Sequence, residues 1–201
     1  MVTVDRAQAH TLEAFVAALI LVAGLVFAAQ ATAVTPLSAS TSNQHIENQH
    51  RTLAQNLLST TAEDGSLHAA VVYWEDEENG FVGTHTDRRY YTETPTGAEH
   101  PLASVLEVFN DNHLAYNIDL TYRDGKSGTE EIRMVEMGSP SDNAVAATRS
   151  VALYDSTGVS GGTNAGTTLD ELDDGAFYAA DVDPDGQLYN VVEVRIVVWR
   201  L

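Results

Sequence analysis

The longest apolar run of the chain lies close to its N-terminus. Residues 14–33 are twenty consecutive uncharged residues, mostly Ala, Val, Leu, Ile and Phe. A helix of that length covers about 30 Å, the hydrocarbon thickness of a bilayer. The run therefore predicts a transmembrane helix, which we place at residues 8–35. One acid, Glu13, stands at its edge, where a helix N-terminus favours negative charge.

Beyond Pro36, where a kink or break in the helix is expected, residues 36–64 keep a helical pattern. Their apolar positions recur at near-helical spacing: Ile46, Leu53, Ala54, Leu57 and Leu58. The segment predicts an amphipathic helix ending near Gly65; a polar stalk is the alternative. His45 and His50 are five residues apart, which is not a metal-pair spacing on one helix face, so we expect both to face solvent.

Alternating apolar and polar residues dominate residues 65–201 and predict a mostly antiparallel β domain. The expected strands are residues 67–74, 80–85, 89–92, 115–122, 129–137, 145–154 and 190–199. Residues 115–122 and 129–137 form the clearest hairpin, and 190–199 should be a central strand. Residues 101–109 predict one short helix, and the Gly-rich residues 156–168 predict a mobile loop. The predicted class is α+β: a long N-terminal transmembrane and amphipathic helix followed by this domain.

Composition restricts the function classes. The 201 residues carry 29 acids against 10 bases, for a net charge of −19, and only one of the bases is lysine. Such a surface stays hydrated in high salt, which indicates a halophilic source; an ordinary acidic surface protein is the alternative. No basic cluster is present to neutralise nucleic acid phosphates. The absence of cysteine excludes disulfides and thiolate chemistry.

Two motifs resemble catalytic signatures, but their context argues against both. Ser160 is the centre of a G-x-S-x-G pattern, yet no helical sequence follows it, as a nucleophile elbow requires. Lys126 lies in a Gly-Lys-Ser sequence without the earlier glycine of a phosphate-binding loop, and in a hairpin turn. We therefore expect no enzyme activity, and the sequence indicates no small-molecule substrate.

The remaining chemistry is a possible cation loop and a set of aromatic residues. Asp181, Asp183 and Asp185 precede Gly186 at calcium-loop spacing, but the bidentate acid expected later is missing. Ca²⁺ there is the alternative to a solvated acidic turn, and no other metal or cofactor is expected. The aromatic residues are expected in the core or on the sheet, with a sugar-binding face as the alternative: Tyr73, Trp74, Tyr90, Tyr91, Tyr116, Tyr122 and Trp199.

Three fates are open for the N-terminus. A secretory peptidase could cut after Ala33, or the apolar run could remain as an uncut signal-anchor. The third fate rests on the residues before the run. The sequence Arg6-Ala7-Gln8, then a glutamate at Glu13 and a long apolar helix, resembles the class III signal of archaeal type IV pilins and pilin-like proteins. With its acidic composition, the chain is most similar to haloarchaeal members.

This resemblance implies a specific processing and assembly route. A prepilin peptidase would cut between Ala7 and Gln8, with Arg6 as the preceding base, so residues 1–7 would be a leader. The helix would stay in the mature subunit, and Glu13 would pair with the new amino group of a neighbouring subunit. The implied partners are the membrane, the peptidase and other pilin-like subunits.

The sequence thus predicts a structural or accessory subunit of a pilus-type surface filament or assembly complex. Its acidic domain, residues 65–201, would lie outside the cytoplasm, anchored by one span in the cell membrane. The alternative is a single-pass, membrane-anchored extracytoplasmic binding or sensor domain that never polymerises.

Overall fold

The computed structural model of the protein describes residues 3–84, 87–96 and 100–201, with residues 3–11 and 30–43 described as helical backbone only. It has the α+β class that the sequence predicts: an N-terminal apolar helix followed by antiparallel sheets. The chain divides into two compact units, Met1–Ile46 and Glu47–Leu201.

Helix α1 runs from Thr3 to Glu63. Its backbone is helical at Pro36, so the break that the proline allowed does not occur. Residues 36–63 are therefore helix and not a polar stalk. The predicted stop is also confirmed: Gly65 has a φ of 82°, the left-handed conformation that commonly ends a helix.

The last turns of α1 supply one wall of the core in the second unit. Ala54, Leu57 and Leu58 are buried there at helical spacing, as the amphipathic pattern predicts. Thr61 lies on the same face and is fully buried, but its hydroxyl donates to the Leu57 carbonyl at 2.8 Å. The buried polar group is therefore satisfied.

The prediction for the two histidines of α1 is half right. His45 is exposed, as expected, whereas His50 is half-buried. Burial, and then the charge of Arg200, lower the pKa of His50. The pattern of residues along α1 could not predict the electrostatic effect of Arg200, because Arg200 lies at the end of the last strand.

The strand predicted at residues 67–74 is wrong, because α2 occupies Ser66–Val71. Leu67, Ala70 and Val71 are all buried, and their i, i+3, i+4 spacing places them on one helical face. Only β1, Trp74–Glu75, is extended, and it pairs with β2, Gly80–Phe81.

The predicted strand at residues 89–92 is also absent as a regular strand. Tyr91 forms a single parallel bridge with Val135, and the rest of this segment is irregular. Residue 85, within the predicted 80–85 strand, lies outside the described residues. The strands of the small β1–β2 ribbon are thus shorter than the strands that the alternating apolar and polar residues predicted.

The main sheet has four antiparallel strands in the order β4-β3-β6-β5. They are β3 Leu114–Arg123, β4 Thr129–Glu136, β5 Val145–Tyr154 and β6 Leu188–Arg200. The predicted β3–β4 hairpin and the central position of the last strand are confirmed. The predicted internal helix is α3, Ala103–Asp111.

One face of this sheet forms the main core. On β6, Val192, Val194, Ile196 and Val198 point into it together with the buried residues of α1, α2 and α3. The alternate residues Val197 and Trp199 pack with Ala115 in a small cluster on the opposite face. The two-residue period of a strand explains this division.

The Gly-rich segment after β5 differs from the mobile loop that its composition predicts. Backbone hydrogen bonds join Ser160 to Val72 at 3.1 Å and Val159 to Thr167 at 2.9 Å. A Cβ built on Gly161 would lie 2.3 Å from Cε2 of Tyr73, so the segment packs directly against this ring. Glycine is needed here for close approach.

We predict that Gly161→Ala lowers the free energy of unfolding by about 1–3 kcal/mol, because Tyr73 is buried and the new methyl group overpacks it. Urea unfolding followed by tryptophan fluorescence would measure the change. Gly158→Ala is the matched control, since the nearest atoms to its added Cβ are 4.0 Å away. Equal stability of Gly161→Ala and the wild type would contradict the packing of this segment.

Candidate functional site

The most distinctive surface of the chain is the apolar part of α1. Leu12–Ala29 is one helical segment long and apolar enough to cross a membrane, and none of it is buried within the protein. Leu25 is 71% exposed and Phe27 76% exposed. Such a continuous apolar surface is far larger than the isolated apolar residues that a monomer exposes to water. By length and composition, this segment is suited to a single membrane span.

Glu13 lies within the N-terminal end of this segment, and its side chain is exposed. A carboxylate moved toward a bilayer centre is costly unless it is paired or hydrogen-bonded. Near the end of the apolar segment it can stay at the interface or pair with a cation from another chain. The side chains of Arg6, Ala7 and Gln8, the predicted processing residues, lie outside the described residues.

Ser160 has a structural contact instead of the geometry of a nucleophile. Its hydroxyl donates to the Ala69 carbonyl at 2.6 Å, and its backbone N–H donates to Val72. No helix follows it: residues 161–168 are turns and irregular structure. Both the strand-to-helix turn and the free hydroxyl of a nucleophile elbow are missing.

Lys126 lies in the turn between β3 and β4, as predicted. Asp124 organises this turn: its Oδ1 accepts from the backbone N–H groups of Lys126, Ser127 and Gly128 at 2.8, 3.2 and 2.8 Å. These bonds favour the carboxylate and lower the pKa of Asp124. The N–H groups that a phosphate would need are therefore already used within the turn.

The candidate calcium residues lie in a tight, mostly exposed turn. Asp181 Oδ1 accepts from the backbone N–H of Asp183 at 2.9 Å, and the Gly186 N–H donates to the Asp183 carbonyl at 2.8 Å. Asp185 is exposed. Across the described part of the chain, no three acidic or histidine side chains are grouped to hold a metal ion. Calcium binding by this turn stays a prediction.

Comparison with protein families adds one finding. A family model described as a family of unknown function, DUF7288, matches residues 6–198. The chain belongs to the DUF7288 family. The matched region includes the apolar segment of α1 and all but the last three residues of the β domain. No curated protein and no solved structure matches the chain.

In this DUF7288 protein, the acidic turn has a neighbour that sequence spacing did not indicate. Asp155 follows β5, and its Oδ1 is buried without a hydrogen-bond partner among the described residues. Burial raises the pKa of Asp155, and repulsion from Asp181, Asp170 and Asp183 raises it further. The fold thus places Asp155 within electrostatic range of acids from two other segments, without grouping them as metal ligands. Nothing local in the sequence marks Asp155 as their partner.

We predict that Asp155→Asn raises the thermal midpoint of unfolding at neutral pH, since it removes this repulsion while preserving shape. Because the pKa of Asp155 is raised in the folded state, the wild type takes up its proton at a higher pH when folded than when unfolded. The wild type therefore gains stability as pH falls, and the advantage of Asn shrinks toward pH ~4.

The matched control is Asp185→Asn, which removes the same charge from an exposed position of the turn. Circular dichroism melts at several pH values would compare the three proteins. An equal gain from both substitutions would mean that net charge, and not the position of Asp155, is responsible.

Proposed function

We propose that this protein is a pilin-like structural or accessory subunit of a surface filament or a membrane assembly complex. In this proposal its apolar helix holds the subunit in the membrane before assembly and packs against other subunits afterwards. The acidic β domain lies outside the cytoplasm. The exposed apolar surface of Leu12–Ala29 is the observation that carries the proposal.

Two further features support an assembly role over a passive anchor. The helix α1 continues from the apolar segment to Glu63, and its last turns are part of the β domain's core. The core of the domain therefore includes residues of the same helix that carries the apolar segment. Small residues, including Gly24 and many alanines, also allow close helix–helix approach.

Glu13 gives the proposed interface its specificity. In a helix bundle without water, a carboxylate is stabilised by a cationic group of a neighbouring subunit. Cleavage between Ala7 and Gln8 would create an N-terminal ammonium close to the same end of each helix. A neighbour shifted along the helix axis would then place its ammonium beside Glu13. A non-polymerising anchored domain has no need for this pairing.

The processing step predicts the mature N-terminus. In protein isolated from membranes of the native cell, we expect mass spectrometry to find a chain that begins at Gln8 or beside it. A chain that begins at Met1 would favour the uncut anchor. A chain that begins at Val34 would mean that a secretory peptidase had removed the apolar helix, and either result would exclude this processing route.

The assembly step predicts the effect of Glu13→Ala. We expect it to weaken subunit–subunit association by about 3–5 kcal/mol per contact, because a neighbour's buried ammonium loses its partner. Membrane insertion should be unchanged, since the segment becomes more apolar. Cross-linking of two differently tagged copies in membranes would measure association, and membrane fractionation would measure insertion.

Glu63→Ala is the matched control, because it removes an exposed acid from the other end of the same helix. Glu13→Gln tests whether charge or hydrogen bonding matters, and we expect it to behave like Glu13→Ala. If cross-linked complexes form normally with Glu13→Ala, the proposed role of Glu13 is wrong.

A further inference from the structure

A cavity of about 560 Å³ lies in the β domain beside β2 and the segment that follows it. Its volume is within the usual range of small-ligand sites. Three of the aromatic residues in the sequence analysis meet in its lining: Tyr73, Tyr90 and Tyr91. The other residues of that set, Trp74 and Tyr116 among them, are core residues.

The cavity combines these rings with hydrogen-bonding groups of both kinds. Arg88 and Glu93 supply one cationic donor and one anionic acceptor, and both side chains are exposed. Thr84, Thr92, Thr94 and Thr96 add hydroxyl groups to the lining. A ligand held here would therefore meet apolar ring surfaces together with donors and acceptors.

His100 adds an unused donor to this wall. It is only 7% exposed, and its Nδ1 accepts the backbone N–H of Leu102 at 3.2 Å. The proton of the neutral ring must then be on Nε2, which is buried and has no partner among the described residues. Burial also lowers the pKa of His100 to about 4, so the ring is neutral at physiological pH. A buried N–H without an acceptor is costly and calls for a partner.

The wall of the cavity is preorganised. The His100 ring makes edge contacts with both Tyr73 and Tyr91, at centroid distances of 5.3 and 5.2 Å. The Tyr91 hydroxyl donates to the Val82 carbonyl at 2.5 Å, and its backbone pairs with β4. The rings therefore do not have to be ordered when a ligand binds, which lowers the entropic cost of binding.

Charge selects between ligand classes. With a net charge of −19, the protein repels anions, and the single Arg88 is balanced by Glu93 in the same cavity. The hydroxyls of Thr84 and Thr94 already donate within the protein, but a purely apolar ligand would cover Arg88 and Glu93 without offering either a hydrogen bond. A neutral sugar ring has C–H groups on its faces and hydroxyl groups, each a donor and acceptor, around its edge. A neutral sugar therefore matches both the aromatic rings and the polar groups of the lining.

We propose that this cavity binds a neutral saccharide, with a tyrosine ring against a sugar face and Arg88 and Glu93 bonded to its hydroxyls. The site does not depend on whether the subunit polymerises.

The test is calorimetric titration of the full chain in a detergent without a sugar headgroup. The neutral probes are glucose, galactose and N-acetylglucosamine, and the anionic comparison is glucuronate. Lactose and cellobiose test whether the ligand is a free monosaccharide or the terminal unit of a longer glycan. If the site binds a longer glycan, the disaccharides should bind more tightly than the monosaccharides. We expect saturable binding of at least one neutral probe, and weaker binding of glucuronate.

Arg88→Ala and Tyr90→Ala should each raise the Kd about tenfold, since each removes a direct contact. The matched controls Arg149→Ala and Tyr154→Ala alter exposed residues of β5 and should change it by less than about twofold.

Three outcomes would overturn the proposal. The first is no saturable binding of any neutral probe, and the second is tighter binding of glucuronate than of the neutral sugars. The third is binding that neither Arg88→Ala nor Tyr90→Ala weakens, which would place the sugar elsewhere.

Discussion

The burial of one face of the four-stranded sheet is the constraint on which the β domain depends. A sheet needs a second layer to cover its apolar face, and here short helices and the last turns of α1 provide it. Ala54, Leu57 and Leu58 would otherwise leave both α1 and the sheet with exposed apolar surface. The same helix that carries the candidate membrane span is thus an integral part of the domain's core.

This arrangement divides one helix between two environments. The segment Leu12–Ala29 is apolar and exposed, whereas residues 54–61 bury a single face. The β domain carries most of the acidic residues. The chain therefore has two chemically different surfaces, one apolar and one acidic. The two surfaces can therefore serve independent functions.

The β domain also gathers residues that have no evident role in holding the sheet together. The cavity beside β2 joins the exposed charges of Arg88 and Glu93 to a wall of packed aromatic rings. This combination of charged and aromatic groups is the basis of the binding proposal. On another part of the domain, Asp155 lies within electrostatic range of three further acids, and their repulsion raises its pKa.

The sequence by itself determined the elements whose signal is local. The twenty-residue apolar run, the alternation in β3 and β6, the turn at residues 123–128 and the left-handed stop at Gly65 each depend on neighbours along the chain. Tertiary structure decided the rest. Residues 66–71 became helix because Leu67, Ala70 and Val71 had a core to face, despite their strand-like composition. The acids around Asp155 come from separate segments, and the cavity depends on how the irregular chain between Tyr73 and His100 folds. No periodicity of the sequence predicts either arrangement.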